Sequence, residues 1–145
     1  MATVNGQCSC GVVGFKLTTN ELRAYQCHCS ICRKASGSAF STTLLAPEAG
    51  FVWLRGVEQL TAYKKASGYQ VNFCSRCGSP VPNRFRDQAF YCVPLGSLDG
   101  LPDVTIAAQL HLNSRARWDK DAPEGRKFSE MPSMAQLHDL LHVSA

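Results

Sequence analysis

Seven of the eight cysteines in this sequence fall into three short clusters. The clusters are Cys8-Ser-Cys10, Cys27-His-Cys29-Ser-Ile-Cys32 and Cys74-Ser-Arg-Cys77. Thiolates two or three positions apart can turn toward one ion, and zinc binds thiolate sulfur at about 2.3 Å. A redox-active CxxC pair is expected within a thioredoxin-like βαβ pattern, which the sequence lacks, and a disulfide within CxC would be strained. The spacing therefore predicts zinc ligands.

The clustered cysteines divide most simply into a group of four and a group of three. The first group joins two pairs that are distant in sequence: Cys8, Cys10, Cys74 and Cys77. The second group is contained within six residues: Cys27, Cys29 and Cys32. Four thiolates complete a structural zinc site, whereas three leave one position that water or a substrate thiol can fill.

Spacing alone leaves two alternatives to this division. Cys27 and Cys29 could instead pair with Cys74 and Cys77 around one ion. Cys92 could also close the second site, although its place in an apolar run is more typical of a core cysteine.

Histidine also ligates zinc, but the sequence around the four histidines does not favour such a site. His28 lies between two cysteines, so its side chain is expected to point away from an ion that those cysteines share. His138 and His142 only formally resemble the HExxH pattern of metalloproteases, because Asp139 replaces the glutamate. His111 lies on the polar side of an alternating run, and nothing in the sequence marks it as functional.

Most of the remaining chain alternates apolar and polar residues, as short strands do. Runs of this kind, separated by Gly, Pro and Asn, occupy 13–17, 51–54, 60–63, 71–73, 90–95 and 104–112. Helices are predicted for 30–36, closed by Gly37, and after Ser133, where Gln136 completes a capping box. Residues 115–131 are polar and are expected to form a surface loop. The predicted fold is mainly β and mostly antiparallel, with a short C-terminal helix.

The composition indicates one globular domain over residues 1–145, with 45% apolar and 18% charged residues. The net charge of +4 is only mildly basic, and the basic residues occur as scattered pairs. A nucleic-acid partner is therefore not predicted. The sequence contains no evident targeting segment and no membrane span, so we expect a cytoplasmic protein with reduced thiols. It does not define an oligomeric state.

The cysteine clusters and their flanks resemble the family of glutathione-dependent formaldehyde-activating enzymes, which includes centromere protein V. The matching segments, between about residues 6 and 118, are Gly6-Gln-Cys-Ser-Cys-Gly11, Cys27-His-Cys-Ser-Ile-Cys-Arg-Lys-Ala-Ser-Gly37-Ser-Ala-Phe40, Phe73-Cys-Ser-Arg-Cys-Gly-Ser-Pro80 and Gly96-Ser-Leu-Asp99. The resemblance implies several coiled antiparallel β-sheets held by zinc, in the β-tent arrangement shared with a small exchange-factor chaperone of Rab GTPases. Residues 119–145, a polar loop and a terminal helix, have no counterpart in this resemblance.

The resemblance also implies roles for the two cysteine groups. In the family, the CxC and CxxC pairs hold a structural zinc, and the CxCxxC triplet holds a second, more labile zinc that is associated with the reaction. The founding activity condenses glutathione with formaldehyde to S-hydroxymethylglutathione, which is a carbon–sulfur lyase reaction in reverse. We therefore predict Cys27, Cys29 and Cys32 as the catalytic group, and glutathione or a related small thiol as the partner.

Residues next to the triplet are candidate substrate contacts. Arg33 and Lys34 would place positive charge near a carboxylate-bearing thiol, with a solvated helix face as the alternative. Phe40 would line a substrate pocket, with burial in the core as the alternative. The alternative to catalysis is a zinc-stapled module that binds another protein. Two zinc ions, one of them removed by mild chelation, would favour the enzyme, and a single tight ion would favour the module.

Overall fold

The computed structural model describes residues 1–122 and 124–142, and within these residues eleven strands form three sheets. In pairing order, the first sheet contains β1 (Ala2–Gln7), β2 (Gly14–Thr19) and β5 (Phe51–Arg55). The second contains β11 (Thr105–Leu110), β3 (Arg23–Cys27), β4 (Ser41–Pro47), β10 (Phe90–Pro94) and β9 (Asn83–Arg84). The third contains β6 (Leu60–Lys64), β7 (Gln70–Cys74) and β8 (Pro80–Val81).

The helices are short and begin and end at local sequence signals. They are α1 (Ser30–Ser36) and α2 (Met134–Leu141), with single 3-10 turns at Glu48–Gly50, Val57–Gln59, Leu95–Ser97 and Leu112–Ser114. Gly37 ends α1 in the left-handed conformation, at φ 64°. Ser133 and Gln136 form the reciprocal capping box at the start of α2. Both helix predictions are confirmed. No helix among the described residues is long and apolar enough to cross a membrane.

The mainly β prediction is also confirmed, with one exception to the antiparallel pattern. β11 pairs with β3 in parallel, with Leu110 opposite Cys27. The alternation in 104–112 predicted a half-buried strand, yet all six residues of β11 are exposed. β11 is the edge strand of the five-stranded sheet, so a neighbouring strand covers it on one side only.

Apolar side chains pack into two clusters, one at each junction between sheets. The larger lies between the first and second sheets: Phe15, Leu17, Ala24, Leu44, Ala46, Phe51, Val93 and Leu98. The smaller lies between the first and third sheets: Cys8, Val13, Cys74 and Val81. Trp53 packs against both clusters, so it links the two junctions. Two of the cysteines predicted as structural ligands are thus part of the second cluster.

The segment predicted as a surface loop, residues 115–131, contains no helix or strand among its described residues. It is not uniformly solvated, because the Asp119 side chain is only 10% exposed. Asp119 packs against His28, next to the cysteine triplet. The end of the predicted terminal segment, residues 143–145, and residue 123 lie outside the described residues.

Candidate metal centres and substrate cavity

The first cysteine group joins the turn after β1 to the end of β7. Cys8 and Cys10 lie in that turn. Cys74 is the last residue of β7, and Cys77 lies in the turn that follows. All four sulfurs lie within 4.8 Å of one another, with 3.6 Å between the first two and 3.9 Å between Cys10 and Cys74. A tetrahedral ion bound at about 2.3 Å separates its sulfur ligands by about 3.8 Å, so this group fits zinc in donor type, number and spacing.

The turn after β7 brings the sulfurs of Cys74 and Cys77 close together. The Gly78 amide donates to the carbonyl of Cys74 at 2.8 Å, and Gly78 has a φ of 75°, a left-handed conformation that glycine adopts without strain. Hydrogen bonding with the hydroxyl and backbone amide of Ser79 lowers the pKa of the Cys77 thiol to about 5. These donors favour the thiolate, which is the form that binds metal.

The second cysteine group lies where β3 meets α1. Cys27 ends β3, Cys29 is the N-cap of α1, and Cys32 is in the first turn of that helix. Their sulfurs also lie within 4.8 Å of one another. The amide of Cys32 donates to Cys29 Sγ at 3.4 Å, so a thiol occupies the place of the usual Ser, Thr or Asp cap. The other pairing permitted by spacing, with Cys27 and Cys29 beside the CxxC cysteines, is not the one in this structure.

The shifted pKa values of the triplet thiols are also consistent with a bound cation. Burial raises the pKa of the Cys29 thiol, but hydrogen bonds from the Cys32 and Ile31 amides and from neighbouring thiols lower it below its ordinary value. Burial and the adjacent sulfurs raise the pKa of Cys32 to about 12. Three sulfurs in so small a volume cannot all ionise unless a positive charge compensates them. Three thiolates suit zinc with one further coordination position.

His28 lies between Cys27 and Cys29 and is buried, with 2% of its surface exposed. Its Nδ1 lies 2.8 Å from Asp119 Oδ2, and its Nε2 lies 2.6 Å from Gln109 Oε1. Gln109 donates its own amide nitrogen to Gln26 at 2.7 Å, which fixes its oxygen toward the ring. The His28 side chain therefore faces away from the sulfurs, as the sequence predicts, and joins β3, β11 and the 115–131 segment.

The predicted substrate contacts lie in different places. The Arg33 guanidinium donates to the backbone carbonyls of His28, at 2.9 Å, and of Ser114, and neither Arg33 nor Lys34 lines the cavity beside the triplet. This placement gives no support to their predicted contact with a substrate carboxylate. Phe40 does line that cavity, and its ring also packs on His28 at 4.9 Å between centroids.

A cavity of about 1520 Å³ opens on the triplet. One wall comes from the five-stranded sheet and α1, and another comes from β7 and the hairpin that precedes it. The volume exceeds the ~300–1,000 Å³ typical of small-molecule sites, so a tripeptide can be accommodated. Residues of the four-sulfur turns, among them Ser9 and Ser79, reach the same cavity.

The cavity is also lined by residues that the sequence did not single out, namely Tyr25, Tyr69, Arg84 and Arg86, and by Cys92 and His111. Tyr25 could have been found, because it lies two residues before Cys27 on one strand and two-residue spacing places both on one face. Burial raises the pKa of Tyr25 above its ordinary value, and burial raises that of Cys92 to about 11. Cys92 is half-buried on the cavity wall, outside the three-sulfur group.

The chain is similar to a known protein family, to a curated protein and to a solved structure. The profile described as glutathione-dependent formaldehyde-activating enzyme matches residues 3–114. A curated protein of Halomonas elongata named for that enzyme is 32% identical over 84 residues. This match covers 54% of each protein, so the chain spans about half the length of that relative. A crystal structure of a Rhodobacter sphaeroides protein aligns with a TM-score of 0.57 at 25% identity, covering 72% of this chain and 98% of that one.

Proposed function

The chain belongs to the family of glutathione-dependent formaldehyde-activating enzymes, and from that premise we propose that it condenses a small thiol with formaldehyde. Glutathione is the proposed thiol, and S-hydroxymethylglutathione is the proposed product. The observation that carries the proposal is the group of three thiols, Cys27, Cys29 and Cys32, on the wall of a large cavity. In the reverse direction the same reaction makes the protein a carbon–sulfur lyase.

Two zinc ions complete the proposal. Cys8, Cys10, Cys74 and Cys77 would hold a structural ion, and the triplet would hold the second. At the triplet, bound zinc supplies a Lewis acid with an open position that favours the thiolate form of a bound thiol. The four-sulfur group has no position left for a substrate, so the chemistry is assigned to the triplet alone.

The reaction forms one carbon–sulfur bond and moves one proton. The substrate thiol loses its proton, its sulfur bonds to the aldehyde carbon, and the aldehyde oxygen gains a proton and becomes the hydroxyl of the product. The chain's contribution is placement, because holding both reactants in one cavity converts a bimolecular encounter into a local one. Phe40, Val71 and Phe73 give the cavity apolar walls that limit water around the reacting groups.

The test combines metal analysis with a rate measurement on matched cysteine variants. The wild-type protein is expected to bind two zinc ions, to lose one first to a mild chelator, and to accelerate the condensation of glutathione with formaldehyde. C29S should lose one zinc and the acceleration. C92S should retain both, because Cys92 lines the same cavity but lies outside the three-sulfur group.

Two outcomes would contradict the proposal. A zinc-loaded wild-type protein that leaves the condensation rate unchanged in both directions would refute it for this substrate pair. A single ion that resists chelation, bound equally by wild type and C29S, would favour the zinc-stapled binding module instead.

A further inference from the structure

The charged residues that line the cavity are all basic. Among the described residues, no aspartate or glutamate contributes to its walls, whereas Arg84 and Arg86 do. Arg84 is compensated, because its guanidinium contacts both carboxylate oxygens of Glu48 at 2.8 and 3.1 Å. No carboxylate in the described part of the chain lies within 4.0 Å of the Arg86 guanidinium. Arg86 is therefore the uncompensated arginine of the cavity.

Arg86 is held in a backbone conformation that is unusual for its type. It follows Phe85 in the tight turn between β9 and β10, which the Gln88 amide closes by donating to the Phe85 carbonyl at 3.0 Å. Its φ is 53°, in the left-handed region where turns of this kind normally have glycine. Strained positions of this kind are frequent at ligand-binding sites, and this one lines the cavity.

The Arg86 side chain lies against the turn between β6 and β7. A Cβ on Gly68 would meet Arg86 Cγ, Cδ and Nε at 3.8 Å, so the arginine stem lies against this residue. The next residue, Tyr69, lines the cavity together with the three cysteines of the triplet. Arg86, the turn between β6 and β7 and the triplet therefore all line the same cavity.

We propose that Arg86 binds a carboxylate of the thiol substrate and thereby selects acidic thiols over neutral ones. The inference rests on the proposed function for its substrate class, and it adds a recognition residue to it. A guanidinium matches the two oxygens of a carboxylate with parallel hydrogen bonds, which a lysine cannot do. A peptide thiol that is held at its carboxylate by Arg86 and at its sulfur by the triplet would span the cavity.

The test measures binding without requiring turnover. S-methylglutathione carries both carboxylates of glutathione but no free thiol, so its affinity reports the proposed subsite rather than the metal. Its dissociation constant is measured by calorimetry on zinc-loaded wild type, R86G, R86K and K64Q. Glycine suits the left-handed φ, so R86G should melt no lower than wild type. K64Q removes one exposed positive charge that does not line the cavity.

We expect R86G to weaken S-methylglutathione binding at least about tenfold, as the loss of one charge-assisted hydrogen bond predicts. R86K should weaken it less. K64Q should stay within about twofold of wild type, because Lys64 is exposed and does not line the cavity, so its charge is screened by solvent. The diethyl ester of S-methylglutathione, whose carboxylates are uncharged, should bind weakly and equally to wild type and R86G.

Equal affinity of wild type and R86G, equal affinity for acid and ester, or no binding by wild type would overturn the assignment of Arg86. A loss of binding in K34Q without a loss in R86G would return the role to the helix charge predicted from the sequence. The two proposals fail separately. Arg86-dependent binding without any effect on the condensation rate contradicts only the reaction, whereas equal turnover of glutathione and its diethyl ester contradicts only the subsite.

Discussion

Replacing Asp119 by alanine is expected to lower the free energy of unfolding by about 3 kcal/mol. The Asp119 carboxylate contacts His28 Nδ1 at 2.8 Å, and the two side chains are 10% and 3% exposed. An orphaned buried nitrogen costs roughly 1–3 kcal/mol and a broken buried ion pair roughly 3–5 kcal/mol, so the estimate lies where the ranges meet. At roughly 2–4 °C per kcal/mol, D119A should melt about 6–12 °C below wild type.

D121A is the matched control for this variant. Asp119 and Asp121 both contact the Arg115 side chain, at 3.4 and 2.9 Å, but Asp121 is 94% exposed. An exposed ion pair contributes roughly 0–1 kcal/mol, so D121A should melt within about 4 °C of wild type. Thermal unfolding of the zinc-loaded proteins at pH 7, followed by circular dichroism, measures both. If D119A melts no lower than D121A, the argument that His28 depends on this carboxylate is refuted.

Two further predictions concern the packing of the backbone at Gly56 and the thiol of Cys92 in the cavity wall. G56A should lower the free energy of unfolding in urea by more than about 2 kcal/mol, because its Cβ would lie 2.1 Å from the Val12 carbonyl oxygen at a φ of 78°. G96A should change this free energy by less than about 0.5 kcal/mol, because its Cβ would meet nothing within 4 Å. Similar losses in the two variants would contradict this. Burial raises the pKa of Cys92 from 9.0 to about 11, so its thiol form persists to higher pH and only about 1% is thiolate at pH 9, where an ordinary thiol is half ionised. Iodoacetamide should therefore alkylate Cys92 of the zinc-loaded protein far more slowly than free glutathione at pH 9, with a rate that rises toward pH 11; equal rate constants at pH 9 would contradict the burial argument.

Features of the fold that depend on local signals could be predicted from the sequence. Gly37 and the capping box at Ser133 define helix ends through contacts within a few residues, and both helices form as predicted. The central strand β4 was missed because Leu44 and Leu45 are both apolar although only Leu44 is buried. Which of two adjacent leucines faces the core depends on the neighbouring sheet, and a local pattern does not contain that information.

The same limit applies to the candidate site. The close spacing of Cys27, Cys29 and Cys32 brings them together through local geometry, so their grouping was predictable. The rest of the cavity lining was not predictable. Tyr69 lies in a turn of the third sheet and Arg86 in a turn of the second, so the two line one cavity only after these sheets pack. The buried contact between His28 and Asp119 likewise joins residues 91 positions apart. The sequence therefore pointed to Arg33 and Lys34, which directly follow the triplet in the chain, as the positive charges beside it, and gave no signal for Arg86.

β7 connects the four-sulfur group to the wall of the cavity that opens on the triplet. This strand follows Tyr69 at the cavity rim and ends at Cys74 in the four-sulfur group, while Gln70, Val71, Asn72 and Phe73 between them all line the cavity. A metal that fixes Cys74 against the turn after β1 therefore also fixes the cavity wall that the substrate would touch. Under the proposed function, a structural ion in this group would influence substrate recognition although it has no open coordination position, because it would set the position of the hairpin beside Arg86 relative to the triplet.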